Sequence, residues 1–179
     1  VSEKDVNDEL LRETEAYAES SVCRRKSLLH YFGETYTEEN CGNCDNCLNP
    51  KKQVEAQDLL CTLLETVIAV KEKFKSDYII NVILGKETSE ILAHGHDELE
   101  TFATGVGDDE KTWNAVLRQA LIAGYLEKDV ENYGLVKITA AGKKYLKNPK
   151  SFKIVEDRDF EEEENEEVPM RGGGTVVVD

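Results

Sequence analysis

The sequence is poor in positive charge and has no long apolar run. Its 179 residues hold 22 Lys+Arg against 37 Asp+Glu, a formal net charge of -15 at pH 7. No stretch approaches the roughly 18 consecutive apolar residues of a membrane-spanning helix. The opening VSEKDVNDEL is polar and acidic where a secretory signal would be basic and then apolar, so a membrane-embedded class is excluded. No GxxxxGK[ST] loop is present to cradle nucleotide phosphates, and ATP hydrolysis is not expected of this stretch. The chain does not begin with Met, which reads as a fragment or processed product. What is present, 40% hydrophobic residues over 179 positions, suits one large domain or two small ones.

The acidity is unevenly spread. Residues 1–57 carry 12 acids and 7 bases, residues 58–155 carry 15 and 13, and residues 156–179 carry 10 and 2. More than half of the excess therefore lies in the last 24 residues, around EDRDFEEEENEE, which has too little apolar surface to order itself. Just upstream, Lys137, Lys143, Lys144, Lys147, Lys150 and Lys153 follow one another with no acid among them. A nucleic-acid partner needs such bases, so the net charge alone does not exclude one.

Five cysteines, an odd number without a secretory signal, disfavour a disulfide framework and point to an intracellular compartment. Cys41, Cys44 and Cys47 form a doubled CxxC knuckle, and Cys23 is close enough in sequence to be the fourth ligand of one tetrahedral Zn²⁺. Two rivals stand beside structural zinc. Cys41, Cys44, Cys47 and Pro50 resemble the start of an iron–sulfur motif, although its next cysteine position holds Lys51. Catalytic zinc would need an open coordination position, which four thiolates close. His30 stands seven residues after Cys23 as an alternative ligand and is read as a packed or surface histidine; Cys61, in LLCTLL, is read as a small core residue.

Periodicity predicts a mainly α chain with a small β-hairpin. Helices are expected over 5–20 and about Ser20 to Phe32, the second burying Leu28, Leu29 and Phe32 and carrying Cys23 in its first turn. Metal then substitutes for a core in the first 50 residues. LNPKKQVEAQ reads as a linker. In DLLCTLLETVIAVKEKF, Leu59, Leu60, Leu63, Leu64, Val67 and Ile68 mark an amphipathic helix. A second helix runs through YIINVILG from a cap at Ser76 or Asp77, HDELETF is a possible short helix, and a third is capped by Asp108 or Asp109 and built on Trp113, Val116, Leu117, Ala120 and Leu121. YLEKDV and LVKIT pair across ENYG, with Gly134 suited to a positive φ, and Thr139 caps a last helix. Helix, helix, helix, strand, turn, strand, helix is the order of a winged helix, a fold that binds nucleic acid or docks proteins. The expected domains are a zinc-binding subdomain at 1–50, a linker at 51–57, a winged-helix domain at 58–150, and a disordered acidic and Gly-rich linker at 151–179.

CRRKSLLHYFGE, CGNCDNC, GHDELETF, RQALIAGYL and LVKITAAGKKYL, in this order, resemble the region that follows the motor in RecQ-family DNA helicases of bacterial type, over about residues 1–150. The resemblance implies a helical zinc platform with ligands Cys23, Cys41, Cys44 and Cys47, then a winged helix, the RQC domain. It implies a parent 3′-to-5′ ATP-dependent helicase acting in DNA repair, recombination and replication, cytoplasmic and nucleoid-associated, with ATP and Mg²⁺ confined to the motor. RGGGTVVVD reads as a linker toward an HRDC domain. Duplex, forked or junction DNA is the implied partner, beside the protein's own motor and HRDC domain.

Candidate DNA contacts are Lys111 and Thr112 at the start of the recognition helix, Arg118 further along its exposed face, Lys128 and Lys137 beside the wing, and Lys143 and Lys144 after it. Tyr133 is a candidate to stack on a terminal base pair, a role that the shortness of this wing weighs against. His94 and His96 are read as packing and hydrogen-bonding residues. The alternative of a different class is a zinc-stabilised winged-helix module that docks proteins.

Overall fold

The computed structural model describes residues 3–129 and 131–157 of the chain. Its first part is three helices: α1 (Glu3–Glu19), α2 (Arg24–Tyr31) and α3 (Asp45–Leu48). Cys23 is the N-cap residue of α2, just before the first turn in which it was expected. The expected burial of Leu28, Leu29 and Phe32 is not found. No residue of α2 is buried, and Leu28, Tyr31 and Phe32 are 48%, 57% and 69% exposed. α2 makes only a light contact with the winged unit, against α7, and that contact buries none of its side chains.

The second part has the expected order plus a sheet that the sequence hid. β1 (Gln53–Glu55) leads into α4 (Gln57–Ala69), α5 (Ser76–Ile83), α6 (Ser89–His94), a 3-10 turn at His96–Glu98, α7 (Glu110–Ile122), β2 (Leu126–Asp129), β3 (Leu135–Ile138), α8 (Ala140–Lys147) and β4 (Lys153–Val155). α4 is the hub and packs on α5, α7, α8 and β3. Its apolar stripe puts Leu60, Leu63, Leu64 and Val67 at complete burial against Ile79 and Ile83 of α5 and Val116 and Ala120 of α7. Each such aliphatic side chain contributes about 1.5–3 kcal/mol relative to exposure, so this half is held by burial.

β2 and β3 form the wing, pairing antiparallel from Leu126↔Ile138 to Asp129↔Leu135. Thr139 caps α8 by accepting from Gly142 N–H, and Asp109 caps α7 by accepting from Lys111 N–H. Four expected boundaries need correction. α4 stops at Ala69, short of KEKF, and the N-cap of α5 is Lys75 rather than Ser76 or Asp77; the short helix expected at HDELETF is the 3-10 turn His96–Glu98, preceded by α6, which Thr88 caps. β1 and β4 pair as Gln53↔Val155, Val54↔Ile154 and Glu55↔Lys153, so the 51–57 linker and the start of the 151–179 linker belong to the winged unit. Ile154 is 1% exposed, and burial of that side chain ties the chain back onto the core. Residues 158–179 lie outside the described residues.

α1 meets the winged unit through charge. Glu13 accepts from Lys128 at 3.2 Å, and Arg12 pairs with Asp77.

Candidate metal centre and nucleic-acid interface

The turn before α2 and the 41–47 loop bring four thiols together. The Sγ atoms of Cys23, Cys41, Cys44 and Cys47 lie within 4.8 Å of one another, and Cys23 is buried. Cys41 and Cys47 Sγ are 3.9 Å apart and Cys44 and Cys47 Sγ 3.3 Å, close to the ~3.8 Å edge of a tetrahedron with Zn–S bonds of about 2.3 Å. Backbone N–H groups of Asn43 and Cys44 point at Cys41 and draw its thiol down to about 6, while desolvation pushes Cys47 up to about 11. A group of thiols that cannot all ionise unaided is a group a divalent cation can deprotonate. The donor set therefore fits a closed, soft, four-sulfur metal site. His30 lies outside this cluster, and Cys61 packs at the edge of the winged core, where desolvation raises its thiol.

The site is held in shape by Arg24 and Asn46, neither of them a residue that the cysteine spacing points to. Arg24 Nε and Nη2 donate to the two carboxylate oxygens of Asp45 at 3.0 Å each, Nη2 also donates to Ala18 O at 3.2 Å, and Nη1 donates to Tyr17 O. Its guanidinium lies 5.1 Å from the centre of the Tyr17 ring. One side chain thus ties α1, α2 and α3 together around the thiols, and the Asp45 hydrogen bonds raise the Arg24 pKa. Asn46, buried, donates to Ser20 O at 2.8 Å and Val22 O at 2.7 Å, fixing the turn that delivers Cys23. The available signals were Arg24 directly after Cys23 and the Asp-Asn pair between Cys44 and Cys47.

The candidate DNA residues are distributed over α7, the two strands and turn of the β2–β3 wing, and α8. At the start of α7 the Lys111 N–H is already taken by Asp109 Oδ1 at 3.0 Å, and Glu110 binds Lys86 at 2.7 Å, so the helix terminus offers less to a phosphate than expected; Thr112 follows, half-buried. Arg118 is not on an open face. Its Nη1 holds both oxygens of Asp157 at 2.8 and 2.9 Å, and the Asp157 side chain is 6% exposed, a burial that raises its pKa against the pull of Arg118. The neighbouring Gln119 exchanges two hydrogen bonds with Val155, at 2.8 and 3.0 Å, so β4 covers this stretch of α7. Lys128 is paired with Glu13, and Lys137 with Asp129 at 2.5 Å. Lys143 and Lys144 are exposed on α8.

The wing tip is stiffened by polar contacts. Asp129 accepts from Lys137, from Asn132 N–H at 3.1 Å and from Asn132 Nδ2 at 2.8 Å. Beyond it Tyr133 stands 65% exposed with φ of 60°, beside Gly134 at 79°. His96 Nδ1 meets the Tyr78 hydroxyl at 2.7 Å, in line with the packing role expected for it, whereas His94 is exposed.

Comparison with known proteins covers both halves. Residues 1–48 match the RecQ zinc-binding family and residues 50–163 match the RQC domain family. The chain is 28% identical over 143 residues to the ATP-dependent DNA helicase RecQ of Pasteurella multocida, covering 79% of this chain and 22% of that protein. The ATP-dependent DNA helicase RecQ of Haemophilus influenzae is 29% identical over 143 residues, 23% of its length, and the RecQ-like DNA helicase blm-1 of Caenorhabditis elegans is 28% identical over 161 residues, 16% of its length. The chain thus spans less than a quarter of the length of the curated relatives it matches.

Proposed function

The chain belongs to the C-terminal region of the RecQ helicase family, a RecQ zinc-binding segment followed by an RQC domain, and from that premise we propose that it is the zinc-stabilised, duplex-binding portion of an ATP-dependent 3′-to-5′ DNA helicase. Zinc binding is supported by the matched zinc-binding family and by the four-thiol cluster. In this reading Cys23, Cys41, Cys44 and Cys47 are its ligands and the ion is structural, because four thiolates leave no position for water or substrate. Bound zinc supplies a cross-link between the α2 turn and the 41–47 loop, and Arg24 and Asn46 orient the two segments that it joins.

The wing carries the DNA reading. A bulky aromatic held in the left-handed region at an exposed hairpin tip is costly to keep, on the order of 1–3 kcal/mol, and such costs concentrate where the side chain is used. Tyr133 is suited to stack on the end of a duplex, with Lys143 and Lys144 of α8 as phosphate contacts and Lys111, Thr112, Lys128 and Lys137 as further candidates. Arg118 acts instead as a fixed ion pair with Asp157. Forked or junction DNA, action in repair, recombination and replication, and residence in the cytoplasm at the nucleoid follow from the same reading, as do a motor that binds ATP and Mg²⁺ and an HRDC domain elsewhere in the protein. No helix among the described residues is long and apolar enough to cross a membrane.

The protein-docking alternative has one specific observation behind it. Leu28, Tyr31 and Phe32, with Val6, Leu10 and Leu11 of α1, are large apolar side chains left about half exposed or more, and in this reading they seat the protein's own motor. Docking then belongs to the zinc half and DNA to the winged half. Fluorescence anisotropy with a blunt duplex at two salt concentrations tests the DNA assignment. Lys143→Glu with Lys144→Glu is expected to weaken binding at least tenfold and to flatten its salt dependence. Salt-independent binding by the unaltered chain, or unchanged binding by the variant, would refute it.

A further inference from the structure

Three helices end in the same hydrogen-bond pattern, and each uses glycine where the chain turns left-handed. At α2, Gly33 N–H reaches His30 O and Glu34 N–H reaches Leu29 O; α5 repeats this with Gly85 and Lys86, and α7 with Gly124 and Tyr125. The three glycines have φ of 76°, 70° and 77°. This is the arrangement in which glycine costs least, because an L side chain in that conformation crowds its own backbone. α4 ends in the same pattern, with Lys71 N–H to Ile68 O at 2.9 Å and Glu72 N–H to Val67 O at 3.0 Å, but with a lysine at φ 61° and a glutamate at φ 57°. The fold has a cheap solution at this point and does not use it. An outlier of this kind is a pointer to function.

What surrounds Lys71 gives the pointer a chemistry. The loop reads Lys71-Glu72-Lys73-Phe74-Lys75, a net +2 over five residues in a chain of net -15, and Lys71 and Lys73 are exposed. Between those lysines and α5, Phe74 stacks on Tyr78 at 3.9 Å with 15° between the rings. His94 and His96, near-parallel and 5.5 Å apart, meet Phe74 edge-on at 5.0 and 5.2 Å. Phe74 is half-buried, His94 is exposed, and Tyr78 is pinned by its hydroxyl on His96 Nδ1. The loop is also part of the wing: Val136 N–H of β3 donates to Phe74 O at 3.0 Å. Val136 is three residues from Tyr133, so the two are at most roughly 10 Å apart along the chain at about 3.3 Å per extended residue.

We propose that the Lys71–Lys75 loop together with His94 and His96 is a second DNA contact, specific for single-stranded DNA. The phosphates of one strand lie on Lys71 and Lys73, and an unpaired base lies against the ring surface of Phe74 and His94. Ring faces select a single strand because only an unstacked base exposes its own face, and interleaved cations and aromatics bind it with little sequence preference. A strand parted at the wing tip passes this loop along the β3 edge. The assignment rests on the reading of the winged half as a DNA-binding unit.

The test uses the full chain, zinc-loaded, with a fluorescent oligothymidylate and a blunt duplex as separate probes. His94→Ala is expected to weaken oligothymidylate binding at least fivefold and to leave duplex binding unchanged. Lys71→Gly supplies the control for folding: it relieves the left-handed lysine, so its unfolding midpoint is expected to stay level or rise while oligothymidylate affinity falls and its salt slope drops by about 0.7. Unchanged oligothymidylate affinity in both variants, or an equal loss on both probes, overturns the single-strand site while leaving duplex binding intact. A lower midpoint for Lys71→Gly overturns the argument from strain. Absence of duplex binding by the unaltered chain, by contrast, is failure of the broader DNA reading.

Discussion

The two halves of this chain are ordered by different means. The winged half buries Leu60, Leu63, Leu64, Val67, Ile79, Ile83, Trp113 and Val116 around α4, with each of these at 1% exposure or less. The zinc half has no such core: α2 buries nothing, and its order comes from four converging thiols, the Arg24 clamp and buried Asn46. Burial is cooperative and insensitive to ligands, whereas a cross-linked shell stands or falls with its cross-link. The zinc half can therefore leave Leu28, Tyr31 and Phe32 exposed, because their burial is not what holds it together.

The sharpest way to break this contrast is to remove the metal. Structural zinc contributes an apparent 10–16 kcal/mol in small metal-held folds, more than any single contact in the chain. Chelation, or Cys41→Ser, is expected to move the amide resonances of residues 20–50 to unfolded positions and leave those of residues 57–129 and 131–157 in place. Collapse of both sets together would mean that the halves form one cooperative unit.

The converse perturbation comes next in size. Trp113 is 1% exposed, and its Nε1 donates to Asp108 at 3.2 Å. Trp113→Ala is expected to cost the winged half about 3–5 kcal/mol in denaturant unfolding while leaving zinc stoichiometry at one per chain. Loss of zinc in this variant would contradict the division.

Legibility in the sequence follows the same division. The apolar repeat of α4 and α7, the caps at Asp109 and Thr139 and the hairpin were readable because they are local, carried by periods of 3.6 and 2 and by turn residues. The thiol cluster was readable because metal ligands have characteristic spacing. β1 and β4 were not, since Gln53–Glu55 and Lys153–Val155 are three-residue strands about a hundred positions apart with no periodicity of their own. α2 misled for a different reason: LLHYF has the composition of a buried stripe, but burial needs a second layer, and local sequence says nothing about whether one is present. Arg118 shows the limit for charged residues, because its partner Asp157 lies 39 positions away.

A smaller effect tests the polar clamp alone. Arg24→Lys keeps the charge but loses the fork that holds both oxygens of Asp45 while reaching the carbonyl of Ala18. Residues that position metal ligands typically contribute 10–100-fold to affinity, so competition with a chromophoric chelator is expected to show zinc bound at least tenfold more weakly, with the winged half unaffected. Equal affinity would mean that the thiols alone define the site.

The smallest effect distinguishes order within the winged half. The wing tip has little apolar contact and depends on Asp129, whose carboxyl is held down to about 2 by the Lys137 hydrogen bond and the two from Asn132. A carboxyl depressed in the folded state contributes stability that is fully present above its unfolded value, near 3.9, and is lost as pH falls through the folded one. The window is therefore about pH 4 to pH 2. The Asn132 amide, which donates to Asp129 Oδ1 at 3.1 Å, is expected to report it as a chemical-shift titration with a midpoint near 2, absent in Asp129→Asn, while the amides of α4 hold their positions over the upper part of that window. A midpoint near 3.9 would show that the wing is not locked by this contact.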